Sequence, residues 1–218
     1  MIKAKTADEL FDKVWYELTR KDNLTKDDTI AAEIINANLV LTDPTRNTMC
    51  NCIRKMPIRY AIGELLWYNS RNITTKSIAP FSKFWETISD DKKTVNSNYG
   101  YCIKDKFGFD QWEMVKKLLK QNPNTRHAVL HIKEARDLVK NPSKDVNCTI
   151  ALQFFIRKGK LHLITTMRSN DVWLGLPYDL FNFTCMQIQM AMELDIPVGT
   201  YYHNAGSLHL YRRDIDKV

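Results

Sequence analysis

The sequence is poor in the residues and runs that mark linkers, repeats and membrane spans. It has seven glycines and seven prolines in 218 residues, with no low-complexity segment. No apolar run approaches the ~18 residues that a membrane-spanning helix requires, and the N-terminal stretch lacks the apolar core of a secretory signal. Hydrophobic residues make up 44% of the chain, which is typical of a globular protein. We therefore expect a single cytoplasmic domain over 1–218.

Motifs of several common enzyme classes are also absent. The sequence contains no G-x-x-x-x-G-K-[ST] loop, no G-x-G-x-x-G and no H-E-x-x-H. These absences disfavour nucleotide triphosphatases, Rossmann oxidoreductases and zinc proteases. The five cysteines are scattered, and Cys50 and Cys52 have no second pair at zinc-finger spacing. We expect no metal site, with most of the thiols reduced and buried as small hydrophobic groups.

The charge balance is basic. The chain has 32 Lys and Arg against 25 Asp and Glu, a formal charge of +7, which favours anionic ligands. Nucleic acid is one such ligand, and a phosphorylated or polycarboxylated small molecule is another. No block of Lys and Arg exceeds two residues, so a groove for a polymer is not indicated.

Hydrophobic periodicity and capping signals predict helices and strands that do not alternate regularly, which favours an α+β layer fold. The predicted helices are 7–20, Pro57 to Asn69, 109–121 and 181–194. The predicted strands are 31–41, 127–132, 149–157, 161–167, 198–203 and 207–211, with a hairpin turn at 158–160.

Three stretches place polar residues inside apolar surroundings: 146–149, 167–179 and 204–211. A core strand tolerates Arg, Asp or His when the side chain is paired or functional. A paired structural residue explains any one of these stretches, but the three together favour a functional site. The hairpin would bring Arg168 towards Cys148, and a guanidinium favours the thiolate form of cysteine, which is the nucleophile.

Six motifs occur in a fixed order over roughly 28–213, and through them the chain resembles the thymidylate synthase superfamily, in particular its deoxycytidylate hydroxymethylase branch. The motifs are Gly63 to Tyr68, Asn96 to Gly100, Asn122 to Arg126, Cys148 with Gln153 and Phe154, Met167 to Asp179, and Gly206 to Tyr211. The resemblance implies a fold with a large mixed β-sheet packed by helices. It also implies a homodimeric enzyme that uses methylene-tetrahydrofolate, with no metal, no membrane and no required nucleic acid.

The resemblance also implies a role for each matching residue. Cys148 would add to C6 of the pyrimidine, so that C5 attacks the one-carbon unit of the folate. Glu64 would organise water and proton transfers. The implied phosphate contacts are Arg168, Ser169, Arg126 from the other subunit and, as a weaker candidate, Arg46. The sugar hydroxyl is assigned to His209 and Tyr211, and the folate side to Asp171, Trp85 and Tyr99.

Asp179 is the position that bears on the choice of base. The uracil-using synthases have Asn there, whose amide donates to O4 and accepts from N3–H. A carboxyl accepts from the amino group of cytosine and shares a proton with N3, so Asp179 fits cytosine. Taken alone, Asp179 also suits the N-cap of the helix that follows.

The resemblance leaves three functions open. The leading one is hydroxymethylation of dCMP or CMP at C5, and the runner-up is reductive methylation of dUMP or dCMP. The third is an inactive family member that binds RNA or DNA. His127 stands where the synthases usually have a second Arg after Arg126, which implies a weaker phosphate contact. The sequence ends at Val218, seven residues after Tyr211, whereas family members usually continue into a segment that closes over the folate. We expect either easier entry of water or poorer folate binding. Such hydroxymethylases are typical of phages, which would place the enzyme in a host cytoplasm.

Overall fold

The computed structural model describes residues 1–50, 53–138 and 143–217. Cys52 and Val218, which entered the sequence analysis, lie outside these residues. The strands described are β1 (Ile2–Ala4), β2 (Ile30–Leu41), β3 (Val129–His131), β4 (Thr149–Arg157), β5 (Lys160–Asp171) and β6 (Val198–Tyr211). The helices described are α1 (Ala7–Leu18), α2 (Ile58–Ser70), α3 (Thr75–Ile78), α4 (Phe84–Ile88), α5 (Tyr99–Lys104), α6 (Gln111–Gln121) and α7 (Leu176–Leu194).

Within the described ranges, the strands form one mixed sheet in the order β1-β2-β6-β5-β4-β3. The β1–β2 and β5–β6 pairs are parallel, and the other neighbours are antiparallel. Helix α7 connects β5 to β6 and packs on both, while α1 covers β1 and β2. The predicted α+β fold with a helix-packed mixed sheet is confirmed.

Local sequence signals explain where α1 begins. The side chain of Thr6 accepts a hydrogen bond from the backbone N–H of Glu9 at 3.2 Å, and the Glu9 carboxylate accepts one from the N–H of Lys5. This reciprocal arrangement satisfies donors that a helix terminus leaves free. Leu10, Phe11, Val14 and Leu18 then give α1 one fully buried face.

The elements near the polar stretches are longer than predicted. Strand β5 continues four residues past Met167, and α7 begins five residues before Phe181. The residues predicted as strands at 198–203 and 207–211 are both strand, but the break predicted between them is wrong, because β6 is continuous. Asn204 and Gly206 resemble a break, but β6 is hydrogen-bonded on both sides, to β2 and β5. A Cβ at Gly206 would lie 2.8 Å from the carbonyl oxygen of Arg168, so glycine there permits close approach of β5.

This topology gathers the polar stretches at one end of the sheet. Strands β5 and β6 are parallel and end at Asp171 and Tyr211, while β4 runs the other way and begins at Thr149. Helix α7 starts just after β5 ends. The chain segments that carry Cys148, Asp179 and His209 therefore meet at the same end of the sheet.

Candidate active site

Cys148 lies immediately before β4 and is held by hydrogen bonds to β5. The backbone N–H of Arg168 donates to the carbonyl of Cys148 at 2.8 Å. The Arg168 guanidinium donates through Nε to the carbonyl of Asn147 at 3.1 Å and through Nη2 to that of Val146 at 2.9 Å. Pairing of β4 with β5 thus brings Arg168 beside Cys148, as the hairpin predicts.

The thiol of Cys148 is partly buried. Burial raises its pKa above the ordinary value, while the positive charge of Arg168 acts in the opposite direction. Arg168 favours the thiolate, as the sequence suggests, but burial of Cys148 has the larger effect on the pKa. The resting form at neutral pH is therefore the thiol, and attack by sulfur requires loss of its proton.

Glu64 projects from α2 and is 5% exposed. Tyr60, one turn earlier, donates its hydroxyl to Oε1 at 2.7 Å, and Nδ2 of Asn182 on α7 donates to Oε2 at 2.7 Å. Burial raises the pKa of Glu64 to about 7, although the two hydrogen bonds act to lower it. A carboxyl with this pKa can both accept and release a proton near neutrality.

Trp85 is linked to Glu64 through the hydroxyl of Tyr60. Its indole Nε1–H donates to the hydroxyl of Tyr60 at 3.1 Å, and that hydroxyl donates to Glu64. The indole is 9% exposed and packs against Trp67 with ring centroids 4.9 Å apart. The structure therefore connects Trp85 to the candidate proton-transfer group.

Tyr99 lies next to the cysteine strand. Its hydroxyl accepts a hydrogen bond from Oγ1 of Thr149 at 3.0 Å. The ring stacks on Tyr68 and Phe183, with centroids 5.1 and 5.8 Å apart. Because both neighbours hold the ring, the phenol is fixed one residue away from Cys148.

Asp179 lies in the first turn of α7. The helix begins at Leu176 after Gly175, and the backbone N–H of Asp179 donates to the carbonyl of Gly175 at 3.0 Å. The N-cap alternative for Asp179 is therefore wrong. Oδ2 of Asp179 accepts a hydrogen bond from Nδ2 of Asn170 at 2.7 Å.

The Asp179 carboxyl is protonated at neutral pH. Burial, reinforced by the charge of Glu64, raises its pKa to about 8. It therefore has one O–H donor as well as acceptor capacity. Negative charge on Asp179 would also raise the pKa of Cys148 and Tyr99. The acid, the thiol and the phenol consequently share one electrostatic environment.

His209 and Tyr211 lie at the end of β6, with ring centroids 4.8 Å apart. Nδ1 of His209 is 3.3 Å from Oγ of Ser207, which also bonds to Glu33. His209 pairs in register with Asp171 on β5. The two residues predicted to hold the sugar are thus beside each other at the correct end of the sheet.

Asp171 ends β5 and holds the turn that leads into α7. Its Oδ1 accepts hydrogen bonds from the backbone N–H groups of Trp173 and Leu174 at 2.8 and 3.1 Å. Its Oδ2 lies 3.8 Å from Nη2 of Arg213, and burial raises its pKa. Ser169, two residues earlier on β5, is partly buried.

The other two predicted arginines lie apart from this cluster. Arg126 is exposed, and its carbonyl accepts a hydrogen bond from Nε2 of Gln153 at 2.9 Å. Arg46 is also exposed, and its carbonyl accepts from the backbone N–H of Ala7 at 2.9 Å. In the part of the chain that the structure describes, neither guanidinium contacts Cys148.

Sequence reasoning missed three residues that hold the two carboxyl groups: Tyr60, Asn170 and Asn182. Tyr60 had a usable signal, because a residue four positions before Glu64 shares its helix face. Asn170 and Asn182 stand within or just after the motif that ends at Asp179. Only the packing of α7 against α2 shows that Asn182 reaches Glu64.

Two kinds of feature are absent from the described residues. Among these residues, no group of three or more His, Cys, Asp or Glu side chains could hold a metal ion. Over the same ranges, no helix is long and apolar enough to cross a membrane.

Comparisons with known proteins agree on one family. The family model described as thymidylate synthase matches residues 7–218. The deoxycytidylate 5-hydroxymethyltransferase of Enterobacteria phage T4 is 30% identical over 192 residues, which cover 83% of this chain and 76% of that protein. The thymidylate synthase of Bacillus phage phi3T is 27% identical over 175 residues, covering 76% of this chain and 61% of that protein.

A solved structure agrees in fold. The thermostable thymidylate synthase A from Bacillus subtilis superposes with a TM-score of 0.78 at 22% identity. The match covers 96% of this chain and 81% of that one. At this identity the likeness supports the arrangement of sheet and helices and leaves the chemistry to the residues of the site.

Proposed function

Because this chain belongs to the thymidylate synthase family of folate-dependent one-carbon transferases, we propose that it converts dCMP to 5-hydroxymethyl-dCMP. The reaction consumes dCMP, methylene-tetrahydrofolate and water, and it yields the hydroxymethyl nucleotide and tetrahydrofolate. No hydride is transferred. CMP would present the same base to the site.

The protonated carboxyl of Asp179 carries this proposal. Cytosine presents an acceptor at N3 and an amino donor at C4. With Oδ2 accepting from Asn170 and a pKa of about 8, Asp179 can donate a proton to N3 and accept from the amino group. Uracil presents the reverse pattern at both atoms, so this acid mismatches it.

The other residues suit covalent catalysis at C6. The sulfur of Cys148 forms a bond to C6, and the proton supplied near N3 by Asp179 offsets the electron pair pushed into the ring. Carbon C5 thereby becomes the nucleophile. Glu64, with a pKa of about 7, can take the C5 proton as tetrahydrofolate leaves. Water then adds to the exocyclic methylene group of the base, and the bond between Cys148 and C6 breaks.

The residues present fit a folate beside the nucleotide. Oδ2 of Asp171 has the guanidinium of Arg213 at 3.8 Å and retains capacity to accept a hydrogen bond from the pterin ring. When bound, the folate supplies the one-carbon unit. Asp171 would orient it from the turn before α7, and the proposed folate site also includes the aromatic residues Trp85 and Tyr99.

Product mass tests the proposal. Purified enzyme would be offered dCMP, CMP and dUMP separately with methylene-tetrahydrofolate, and the nucleotides weighed afterwards. We expect dCMP to gain the mass of CH₂O without formation of dihydrofolate. A product that gains CH₂, with dihydrofolate absorbance, would identify reductive methylation instead. Salt-dependent oligonucleotide binding without turnover would favour the inactive binder.

The outer face of the sheet supports a homodimer. Phe155, Ile164 and Tyr202 lie on the face opposite the helices and remain partly exposed. Gln153, which pairs with Ile164 on that face, also holds the carbonyl of Arg126. Arg126 thus lies beside the surface through which a second copy would pack, and we place it in the phosphate site of that copy.

Complementation tests the shared arginine. Arg126→Ala and Cys148→Ser homodimers should each be inactive, whereas mixing them should restore activity, because one site of the heterodimer then has both groups. With equal amounts and free exchange, we expect about a quarter of wild-type activity from random pairing. Subunit exchange would be verified with differently tagged chains. Confirmed exchange without recovery would contradict a shared Arg126.

Glu64→Gln should slow turnover far more than it weakens nucleotide binding. The amide keeps the shape of the side chain but cannot exchange a proton, and loss of a positioned acid–base group typically costs ~10²–10⁴ in rate. Steady-state kinetics would report kcat and KM separately. Exposed Glu86 provides the matched control, Glu86→Gln, which should leave both unchanged. A change in KM alone would contradict the role of Glu64.

A further inference from the structure

A line of buried polar side chains leads from the core of the sheet to Asp179. Thr165, Tyr201 and His203 are all fully buried, and Asn170 is nearly so. They lie on adjacent parallel strands, β5 and β6, on the face covered by α7. Burying such groups costs free energy unless each is hydrogen-bonded, and here each one is.

The contacts form an unbranched chain. The hydroxyls of Thr165 and Tyr201 are 3.0 Å apart, and the Tyr201 hydroxyl is 2.9 Å from Nδ1 of His203. Nε2 of His203 is 3.0 Å from Oδ1 of Asn170, whose Nδ2 is 2.7 Å from Oδ2 of Asp179. The side chain of His203 therefore connects the core hydroxyls to the carboxyl.

The tautomer of His203 determines which group donates and which accepts in each of these hydrogen bonds. Burial lowers the pKa of His203 to about 3, so the ring is neutral and has one donor and one acceptor nitrogen. If Tyr201 donates to Nδ1, then Nε2–H donates to Oδ1 of Asn170. The amide then presents its NH₂ group to Asp179, and the Tyr201 hydroxyl is the donor shared between Oγ1 of Thr165 and Nδ1 of His203.

The orientation of the Asn170 amide influences which oxygen of Asp179 carries the proton. An oxygen that already accepts from Asn170 is the poorer site for the proton, so this orientation of the amide favours the proton on Oδ1. The opposite tautomer of His203 would turn the amide of Asn170, and Asp179 would then donate its proton to Asn170. The carboxyl would offer only acceptors to the base and would lose its complement to N3 of cytosine.

Gly175 packs closely against the hydrogen bond between Asn170 and Asp179. A Cβ at Gly175 would lie 2.9 Å from Nδ2 of Asn170 and 3.3 Å from Oδ2 of Asp179. The backbone of Gly175 has an ordinary helical φ of −88°, so glycine is used there for space. The missing side chain leaves room for the hydrogen bond that ends the chain.

We propose that His203, oriented by Tyr201 and acting through Asn170, is a positioning residue that holds the proton of Asp179 on the oxygen facing N3 of cytosine. This inference rests on the proposed function, because it assigns the origin of the cytosine preference. Tyr201 and His203 lie outside the six motifs, whereas Asn170 and Asp179 lie within one of them.

The test combines substitutions with a spectroscopic readout. Tyr201→Phe removes the hydroxyl that selects the tautomer, and His203→Phe removes both ring nitrogens. His203→Gln keeps one donor and one acceptor on a planar group. Tyr16→Phe, at an exposed tyrosine of α1 that lies outside these contacts, is the matched control. The ratio of kcat/KM for dCMP to that for dUMP would be measured for each folded variant.

We expect Tyr201→Phe and His203→Phe to lower this ratio by about fivefold or more, the effect of one net hydrogen bond. His203→Gln should restore much of it, and Tyr16→Phe should leave it unchanged. Nitrogen-15 NMR of the free enzyme should show His203 as the Nε2–H tautomer, with assignment by comparison with His203→Gln. Thermal unfolding would confirm that the variants are folded.

Different results would overturn the positioning role of His203 and the proposed function. A ratio unchanged within twofold in Tyr201→Phe, or an Nδ1–H tautomer at His203, would overturn the positioning role while dCMP remains the substrate. A wild-type preference for dUMP would overturn the proposed function and the cytosine role together. If His203→Phe does not fold, the kcat/KM ratio of Tyr201→Phe and the tautomer of His203 still test the positioning role.

Discussion

Cys148→Ser should abolish turnover while the protein still binds nucleotide. A serine hydroxyl is a far weaker nucleophile than a thiol in this position, and it replaces the sulfur that bonds to C6. We expect a loss of at least about 10³-fold in kcat, since removing a catalytic nucleophile commonly costs more than that. Arg168, which holds the Cys148 segment through backbone carbonyls, is unaffected by the change.

Binding provides the second half of this test. The nucleotide dissociation constant of Cys148→Ser, measured by calorimetry, should stay within about tenfold of the wild-type value, or ~1.4 kcal/mol. Cys185→Ser is the matched control, because burial also raises the pKa of the Cys185 thiol. Cys50, Cys52 and Cys102 should likewise tolerate substitution. More than a few per cent of residual activity in Cys148→Ser would remove it from the nucleophile role.

The pairing of Cys148 with Arg168 was predictable from the sequence because it depends on local features. Two apolar strands flank Lys158 and Gly159, and Gly159 adopts a φ of +68° at the turn. A short hairpin turn sets the register of both strands. That register holds from Arg157 to Ala151, and a bulge between Thr149 and Ala151 then shifts it by one residue. The hairpin therefore predicts that Arg168 approaches Cys148, but not the exact register at that end.

The extent of α7 and β6 was not predictable in the same way. Pro177 in the first turn of α7 is a usual start signal, but the preceding Leu-Gly-Leu stretch resembles a loop. Gly206 and Asn204 likewise resemble a break in β6. Pairing with β2 and β5 outweighs these local preferences, and such tertiary contacts cannot be read from one segment.

The buried partners of the site were the hardest to predict. His203 and Tyr201 alternate with other residues on one strand, and that pattern alone describes a core face. Their hydrogen bonds arise from the parallel pairing of β5 with β6, across a helix of 19 residues. The sequence therefore predicts the polar groups that gather at one end of the sheet better than the groups that orient them.

Asp179→Asn should reverse the choice of pyrimidine. The amide is nearly isosteric with the acid, and Asp179 is not the helix N-cap, so α7 should form unchanged. When the amide of Asn170 turns to accept from it, the new amide donates to O4 of uracil and accepts from N3–H, whereas it cannot supply a proton to N3 of cytosine. Mispaired buried polar groups can change specificity by ~10⁴–10⁵. We expect most dCMP turnover to be lost and measurable reaction with dUMP to appear.

The same variant should change the pH dependence of stability. The folded protein keeps a proton on Asp179 up to about pH 8, whereas the unfolded chain releases it near ~3.9. Between these values the folded state binds more protons, so wild-type stability falls as pH rises. Asparagine does not titrate. The melting temperature of Asp179→Asn should therefore rise relative to wild type between pH 5 and 8.

The decisive measurement is the ratio of kcat/KM for dCMP to that for dUMP, before and after the substitution. Asp216→Asn, a change of the same chemistry at an exposed aspartate, should leave the ratio unaltered. If Asp179→Asn changes it by less than about threefold, Asp179 does not read the base, and the assignment to cytosine loses its main support. A reversed ratio with an altered pH profile of stability would tie specificity to the buried proton on Asp179.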